Sequence, residues 1–571
     1  MISASMNSPS ATPIHIDPWN RFALIAAMVG TALSIMAVWL PSYLPTQDGA
    51  PHLYMATALR WIAEDPSSIF ATYFQSNRGH QPNLFIFAAL AGLLEIFDPA
   101  VAEKILASLY LVALPLSAMF TARMARGNSG LAALLVLPVG LSFTFMMGFY
   151  NYSFSAVVFV FGLGIWLWCE KAPGFARFSA LMLVAVAAFF CHIFGAAALL
   201  LVAGTGTAWR LAVGVSQDRP ANMGTRLVAI VQAWIRRGWP LALAFAPTLL
   251  LILEFASTRS GVSGGVDHLW FERIIMLAGF SFVSALDRLD AVFAAGYAII
   301  VALAGYFMFR QRAQLPIPAA MLGFSTISFI ALFLLMPMQM SGSSYVIERL
   351  LPFIYLTGVL AFALTPVARR FSTMAIVALA VLGSVLPITR GYQFHSIDQR
   401  LSPLHDLDTR LKSGHTLLAV RIDSFDRPDF KWRMAYRIDP VVHASMRLAT
   451  TARLVDLKVS QANGLEAPMT YRQGRNPFWH LPANLPQSPD KMFWRHLNYR
   501  LGDPAPDLDF AGYEAKTGGR VDYLILWGPF DEVQSDPKVI RFMARIKERF
   551  QLDHVASPLF RLYKHRGISD E

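Results

Sequence analysis

Long apolar stretches separated by short polar connections dominate the first two thirds of the chain. The first runs from Phe22 to Leu40, and others fall near 102–122, 130–147, 153–169, 178–209, 239–255, 290–309, 317–337, 350–366 and 371–388. A helix rises 1.5 Å per residue, so about 20 apolar residues cross the ~30 Å hydrocarbon layer, and most of these stretches qualify. Two stretches fix the parity of the topology. The run from Asn83 to Phe97 is about 22 Å long as a helix, too short to cross comfortably, and is assigned to the membrane surface. The stretch 178–209 is too long for one span and is interrupted at Cys191-His192, so it is read as two short spans meeting near His192. Eleven spans result.

With the N-terminus cytoplasmic, this arrangement collects Arg123, Arg126, Lys171, Arg177, the arginines from Arg210 to Arg237, Arg310, Arg312, Arg369 and Arg370 on the inner side, as the positive-inside rule requires. Counting 83–97 as a span and 178–209 as one helix would strand Arg123, Arg126, Lys171 and Arg177 outside. The polar segment from Met1 to Asn20 lacks the cationic start of a cleaved signal peptide, so the first stretch is expected to be retained.

The pattern changes after the last apolar stretch. Of the 85 charged residues, 48 lie after Arg390. The expected organisation is therefore a transmembrane domain (1–390), whose outer loop 42–101 carries interfacial helices, and a soluble domain (391–571) that the last span delivers outside the cytoplasm. Strand-like runs at Thr416–Ile422, Val521–Trp527 and Leu559–Tyr563, with a helix at Pro537–Phe550, predict a small α/β module. The fold class is thus a polytopic α-helical membrane protein with a C-terminal soluble α/β domain, sited in a bacterial inner membrane with that domain periplasmic. A net charge of +11 does not imply nucleic acid, because the surplus is mostly in short Arg-bearing connections between apolar stretches. The two cysteines, Cys169 and Cys191, lie in or beside apolar segments and offer neither a disulfide framework nor a metal ligand set.

Candidate chemistry gathers on the outer side. Thr46-Gln47-Asp48-Gly49-Ala50-Pro51-His52-Leu53-Tyr54 follows the first span, and a carboxylate at the water–lipid boundary can take a proton from an acceptor hydroxyl while a lipid-linked donor stays in the bilayer. Leu53, Ala56, Leu59 and Ile62 then recur at helical spacing, which predicts an amphipathic interfacial helix. The plain alternative for Asp48 is a turn or cap residue. His52 is a candidate for orienting Asp48 or substrate, and Arg349, beside Glu348 at the outer end of a span, for clamping a phosphate. Tyr150, Asn151 and His192 are candidates for lining a substrate cleft, against a plain reading as aromatic-belt and packing residues. Cations at Arg78 and Lys104 are further candidates for stabilising a phosphate leaving group.

This order of features resembles the GT-C superfamily of polyprenyl-phosphate-sugar-dependent glycosyltransferases, in particular its protein O-mannosyltransferase and aminoarabinose-transferase branch. The matching pieces are Gln47-Asp48, Tyr54, the helix from Leu53, Pro82-Asn83-Leu84-Phe85, the Ala102-Glu103-Lys104 entry to the second span and the Arg-bearing turn 123–130. The likeness covers about the first 170 residues. It implies a glycosyltransferase that takes a polyprenyl-phosphate sugar as donor, with a lipid, glycan or protein as acceptor. It further implies Asp48 and His52 as catalytic residues and Tyr54 among the substrate-binding ones. Two departures stand out. Gly49 follows Asp48 where family members often carry a second acid, so an acidic pair for a divalent cation is missing and no cofactor is implied. Gln81 stands where the aminoarabinose branch has a phosphate-contacting lysine, which leaves Arg78 or His80 to substitute. A lipid or polysaccharide flippase and a noncatalytic scaffold are the competing readings; the first is disfavoured because the span interiors hold almost no ionisable residues.

Overall fold

The computed structural model describes residues 18–77, 79, 81–217, 223–257, 270–336, 345–366, 369–422, 434–463, 467–481 and 508–568. The membrane body is helical. Its elements are α1 (Pro18–Trp39), α2 (Gly49–Glu64), α3 (Ile69–Tyr73), α4 (Phe85–Leu94), α5 (Pro99–Ala125), α6 (Ser129–Leu135), α7 (Leu137–Gly140), α8 (Phe143–Met146), α9 (Tyr150–Lys171), α10 (Phe175–Cys191) and α11 (Ile193–Gln217). They continue with α12 (Met223–Ser257), α13 (Trp270–Ala278), α14 (Asp290–Arg310), α15 (Ile317–Leu335), α16 (Val346–Ala363) and α17 (Arg369–His405). Among the described residues, nine helices are long and apolar enough to cross a membrane.

Two further crossings are short. The stretch expected as one span over 130–147 is broken into α6, α7 and α8, with Pro138 at the start of α7. It nevertheless carries the chain from one face to the other. Gly130 N–H donates to Asn20 at the start of α1 (2.7 Å), and Asp48, beyond the far end of α1, donates its N–H to Met147 (2.9 Å). The second is α10, 17 residues long. Arg177 near its start packs on Trp168 of α9, and the His192 that ends it packs against Tyr152 at the opposite end of α9. His192 is extended (φ −169°), so the helix breaks where the sequence placed the break.

The helix expected at the membrane surface is shorter than its apolar stretch. α4 holds 10 residues, about 15 Å, and buries Ile86, Phe87, Leu90 and Leu94 on one face. α2 begins at Gly49, four residues before the expected Leu53, and is more enclosed than an interfacial helix needs. Leu53, Tyr54, Met55, Ala56, Ala58 and Trp61 are all buried.

α17 is the hinge of the architecture. It packs along α1 in parallel, with Gly30 against Gly383 and Gly391 against Ala37 and Leu40. A Cβ at Gly30 would come within 2.8 Å of the Gly383 carbonyl oxygen, so glycine is what permits this approach. The helix continues to His405, so the domain boundary expected at 390 falls inside a continuous helix. Arg390 itself is fully buried in an ion pair with Asp290 of α14 (2.8 Å), whose carboxylate also accepts from the N–H groups of Ala285 and Leu286.

The C-terminal module is the expected α/β unit. Strands β2 (Thr416–Arg421), β3 (Val455–Asp456), β5 (Tyr523–Trp527), β6 (Phe550–Val555) and β7 (Phe560–His565) form one sheet of order β3-β2-β5-β7-β6. The pairs around β2 are parallel and those around β7 antiparallel. Helix α18 (Ala444–Ala452) lies between β2 and β3 in sequence. The module is stitched to the membrane body: β1 (Phe74–Ser76) of the long loop pairs antiparallel with β4 (Met469–Tyr471). Arg437 adds bonds to the carbonyls of Ser281 (2.5 Å) and Ser284 (3.0 Å) and packs on Phe143.

Candidate active site

Asp48 stands at the N-cap position of α2, yet its side chain makes no capping hydrogen bond. The carboxyl is therefore available for something else. Its backbone is gripped by the α8–α9 turn, where Gln47 and Asp48 donate N–H bonds to Met146 (3.1 Å) and Met147 (2.9 Å). Gly148 makes this grip fit. It adopts φ +80°, and a Cβ there would sit 2.3 Å from Gly49 N and 2.6 Å from the Asp48 carbonyl carbon.

The Asp48 carboxyl retains 18% of its exposure. Burial lifts its pKa to about 7, against the lowering effects of the Gln47 amide and the Arg349 guanidinium. His52, one turn along α2, is pushed down to about 4 by burial, although a bond to the Gly148 carbonyl favours its charged form. Its Nδ1 has no hydrogen-bond partner, and its ring meets Phe87 edge-on. At neutral pH the pair is thus a carboxyl poised near its pKa and a neutral imidazole.

Arg349 lies in the first turn of α16, stacked over Phe149 (4.4 Å) and near Phe194 (5.9 Å). Tyr152 donates to its carbonyl (2.6 Å). The guanidinium is close enough to act on both Asp48 and His192. His192 accepts the Phe194 N–H at Nδ1 (3.1 Å) and packs edge-on against Tyr152. Asn151 is buried and accepts the Ile86 N–H (3.0 Å), satisfying an otherwise open donor at the start of α4; its Nδ2 has no partner. Glu348 is half-buried and lies within reach of Arg437.

The other candidates divide. Tyr54 is fully buried and bridges to the C-terminal module, donating to Leu454 O (3.0 Å) and accepting from Asp456 N (2.9 Å). Lys104 is buried, bound to the Pro41 carbonyl (2.6 Å) and near the Trp39 ring. The polar groups of both are thus engaged inside the protein. Arg78 and His80 lie outside the described residues.

Two functional candidates escaped the sequence reading, and both belong to the C-terminal module. His443 places Nε2 3.4 Å from Asp48 Oδ1. Arg447, four residues on, reaches Glu103 Oε2 (2.5 Å) and Oε1 (3.1 Å) and the Leu44 carbonyl. Glu103 Oε1 also accepts the Tyr150 hydroxyl (2.7 Å), which contacts Thr46 Oγ1 (2.8 Å). The side chains of this pair are 4% and 1% exposed. Removing one partner of such a pair typically costs about 3–5 kcal/mol, because the other is left buried and uncompensated. A glutamate at the entrance of an apolar helix is the one sequence signal for a buried partner, and the adjacent Lys104 masks it by offering a local cation.

Among the described residues, no group of three His, Cys, Asp or Glu side chains is placed to hold a metal ion. Neither a protein-family model nor a curated protein sequence matches the chain. Solved structures do. The crystal structure of ArnT from Cupriavidus metallidurans bound to undecaprenyl phosphate aligns over 95% of this chain and 98% of that one, with TM-score 0.51 and 12% identity. Its apo form gives TM-score 0.50 at the same identity, over 95% and 97% of the two chains. The chain has the GT-C fold. The likeness extends beyond the first 170 residues, where the sequence motifs end, and takes in most of the chain. In this fold the loop from α1 to α2, the α8–α9 turn, the start of α16 and the segment before α18 converge on Asp48.

Proposed function

We propose that this protein is a membrane glycosyltransferase that moves a sugar from a polyprenyl-phosphate donor to an acceptor hydroxyl, with Asp48 as general base. The observation that carries the reading is the Asp48 carboxyl: uncapped, mostly enclosed, held near a pKa of 7 and faced by Arg349. A base tuned close to neutrality is most effective when it must both accept a proton and be ionised at working pH. The fold supports the donor class, since ArnT, which shares it, was solved with undecaprenyl phosphate.

In this mechanism Asp48 takes the acceptor hydroxyl proton as the oxygen attacks the anomeric carbon. The bond from that carbon to the phosphate oxygen breaks, and polyprenyl phosphate leaves. Arg349, with its fork of donors at the end of α16, is placed to stabilise the negative charge that develops. Asn151, His192, Tyr150 and Glu348 surround the same region as substrate-side residues. The acceptor is a lipid, glycan or protein brought to the face that carries the C-terminal module. By the inner-arginine rule, that face is periplasmic.

Asp48→Asn keeps the shape and removes the base. Transfer from a polyprenyl-phosphate sugar, measured in liposomes, should fall by roughly 10²- to 10⁴-fold. Near-normal turnover in the Asn variant would overturn the assignment.

A further inference from the structure

We infer that the C-terminal module completes the catalytic site, with His443 as the positioning residue that holds the Asp48 carboxylate. The inference rests on the reading of Asp48 as general base.

His443 and Arg447 are four residues apart, so they share one face of the turn that starts α18. From that face they take different targets, both in the membrane body. His443 reaches the Asp48 carboxyl at 3.4 Å, and Arg447 binds Glu103 and Leu44, just before the loop that carries Asp48. Gln47 adds a third link, its Oε1 accepting the Asp439 N–H at 2.9 Å. The module is therefore bonded to Leu44 and Gln47, just before Asp48, and approaches the Asp48 carboxyl itself.

The platform under His443 is rigid. Lys458 donates Nζ to Val442 O (3.0 Å), and Asp456 accepts from Ser445 Oγ (2.9 Å) and from Lys458 N (2.7 Å). These groups are almost wholly buried. A buried lysine and aspartate, bonded to Val442 and Ser445 on either side of His443, fix the backbone that aims the imidazole.

Charge selects the role. His443 is faced by Asp48 from the loop, His52 from α2 and Lys458 from its own module, with Arg349 on the far side of Asp48. Asp439 and Arg421 lie behind Lys458. Burial, Lys458 and His52 together hold the His443 imidazole well below the usual histidine range. It is therefore neutral at working pH, and its Nε2, 3.4 Å from Asp48 Oδ1, is within reach to donate to the carboxylate when it carries the ring proton. A donor to a carboxylate favours the ionised form, the form that accepts the acceptor's proton. In that role His443 adds to the lowering effects of Gln47 and Arg349 against desolvation of the carboxyl.

The test uses the full-length protein in liposomes and the pH dependence of transfer. His443→Met and His443→Leu remove the donor while keeping bulk; H443Q keeps an N–H donor. Loss of the donor should move the acid limb of the rate profile upward by about one pH unit, a tenfold loss of rate at a given pH on that limb. H443Q should restore the limb. A lower rate at all pH values with an unmoved limb would make His443 a packing residue and overturn the inference. An infrared titration of the carboxyl band that disappears in D48N reads the same shift without turnover. If wild-type protein transfers no sugar, the glycosyltransferase reading fails on its own, and this titration still decides whether His443 sets the state of Asp48.

Discussion

The Asp48 side chain is more enclosed than a residue in a wet outer cleft, and that changes what its replacement does to stability. Its folded pKa of about 7 lies above the carboxylate value of 3.8. Between those values the unfolded chain gives up a proton that the folded protein keeps, so stability falls as pH rises through that window. The penalty is complete above about pH 7 and absent below about pH 4. One pKa unit is worth about 1.4 kcal/mol, and solvent at the partly exposed carboxyl screens part of the shift. Asp48→Asn should therefore be more stable than wild type by ~1–2 kcal/mol at pH 8 and indistinguishable from it at pH 4. Thermal unfolding of the two proteins at both pH values measures this. A less stable Asn variant at pH 8 would mean that Arg349 and His443 outweigh the burial of the charge.

At the scale of elements, the α8–α9 turn matters as much as any helix, because it carries no function of its own and sets the position of Asp48. Gly148 is required there twice over: by its left-handed φ and by the absence of a Cβ against the backbone of Asp48 and Gly49. A left-handed alanine costs about 1–2 kcal/mol before any clash, and these neighbours are backbone atoms that cannot rotate away. Gly148→Ala should lower the thermal midpoint and reduce transfer disproportionately, by moving Asp48 against Arg349 and His443. Unchanged transfer in a destabilised variant would show that Asp48 is positioned elsewhere. The short helices were legible in outline only. The run 83–97 does fold as a helix too short to cross, whereas the break of 130–147 into three pieces depends on packing around Pro138 that a hydropathy pattern does not contain.

On the scale of the whole molecule, the membrane body and the C-terminal module form one working unit. They share the β1–β4 pairing, the Arg437 contacts, the Tyr54 bridge and the Glu103–Arg447 ion pair. The arginines at the opposite ends of the helices predict that this unit lies outside the cytoplasm. Alkaline phosphatase fused after Glu571, active only outside the cytoplasm, should be active. An expressed but inactive fusion would invert the topology and put the donor in the cytoplasmic leaflet.

The sequence by itself determined the membrane body, the helix break at His192, the α/β character of the tail and the prominence of Asp48. Each of these follows from local quantities: hydropathy over about 20 residues, strand and turn propensities, and a lone acid beside a span. Tertiary structure alone decided which candidates meet. Tyr54 and Lys104 spend their polar groups inside the protein, while His443, about 400 residues beyond Asp48 in the chain, comes to lie against it and Arg447 comes to lie against Glu103. A contact across that separation leaves no periodic trace in a single sequence, because it is made by the docking of two folded units and not by the neighbours of either residue.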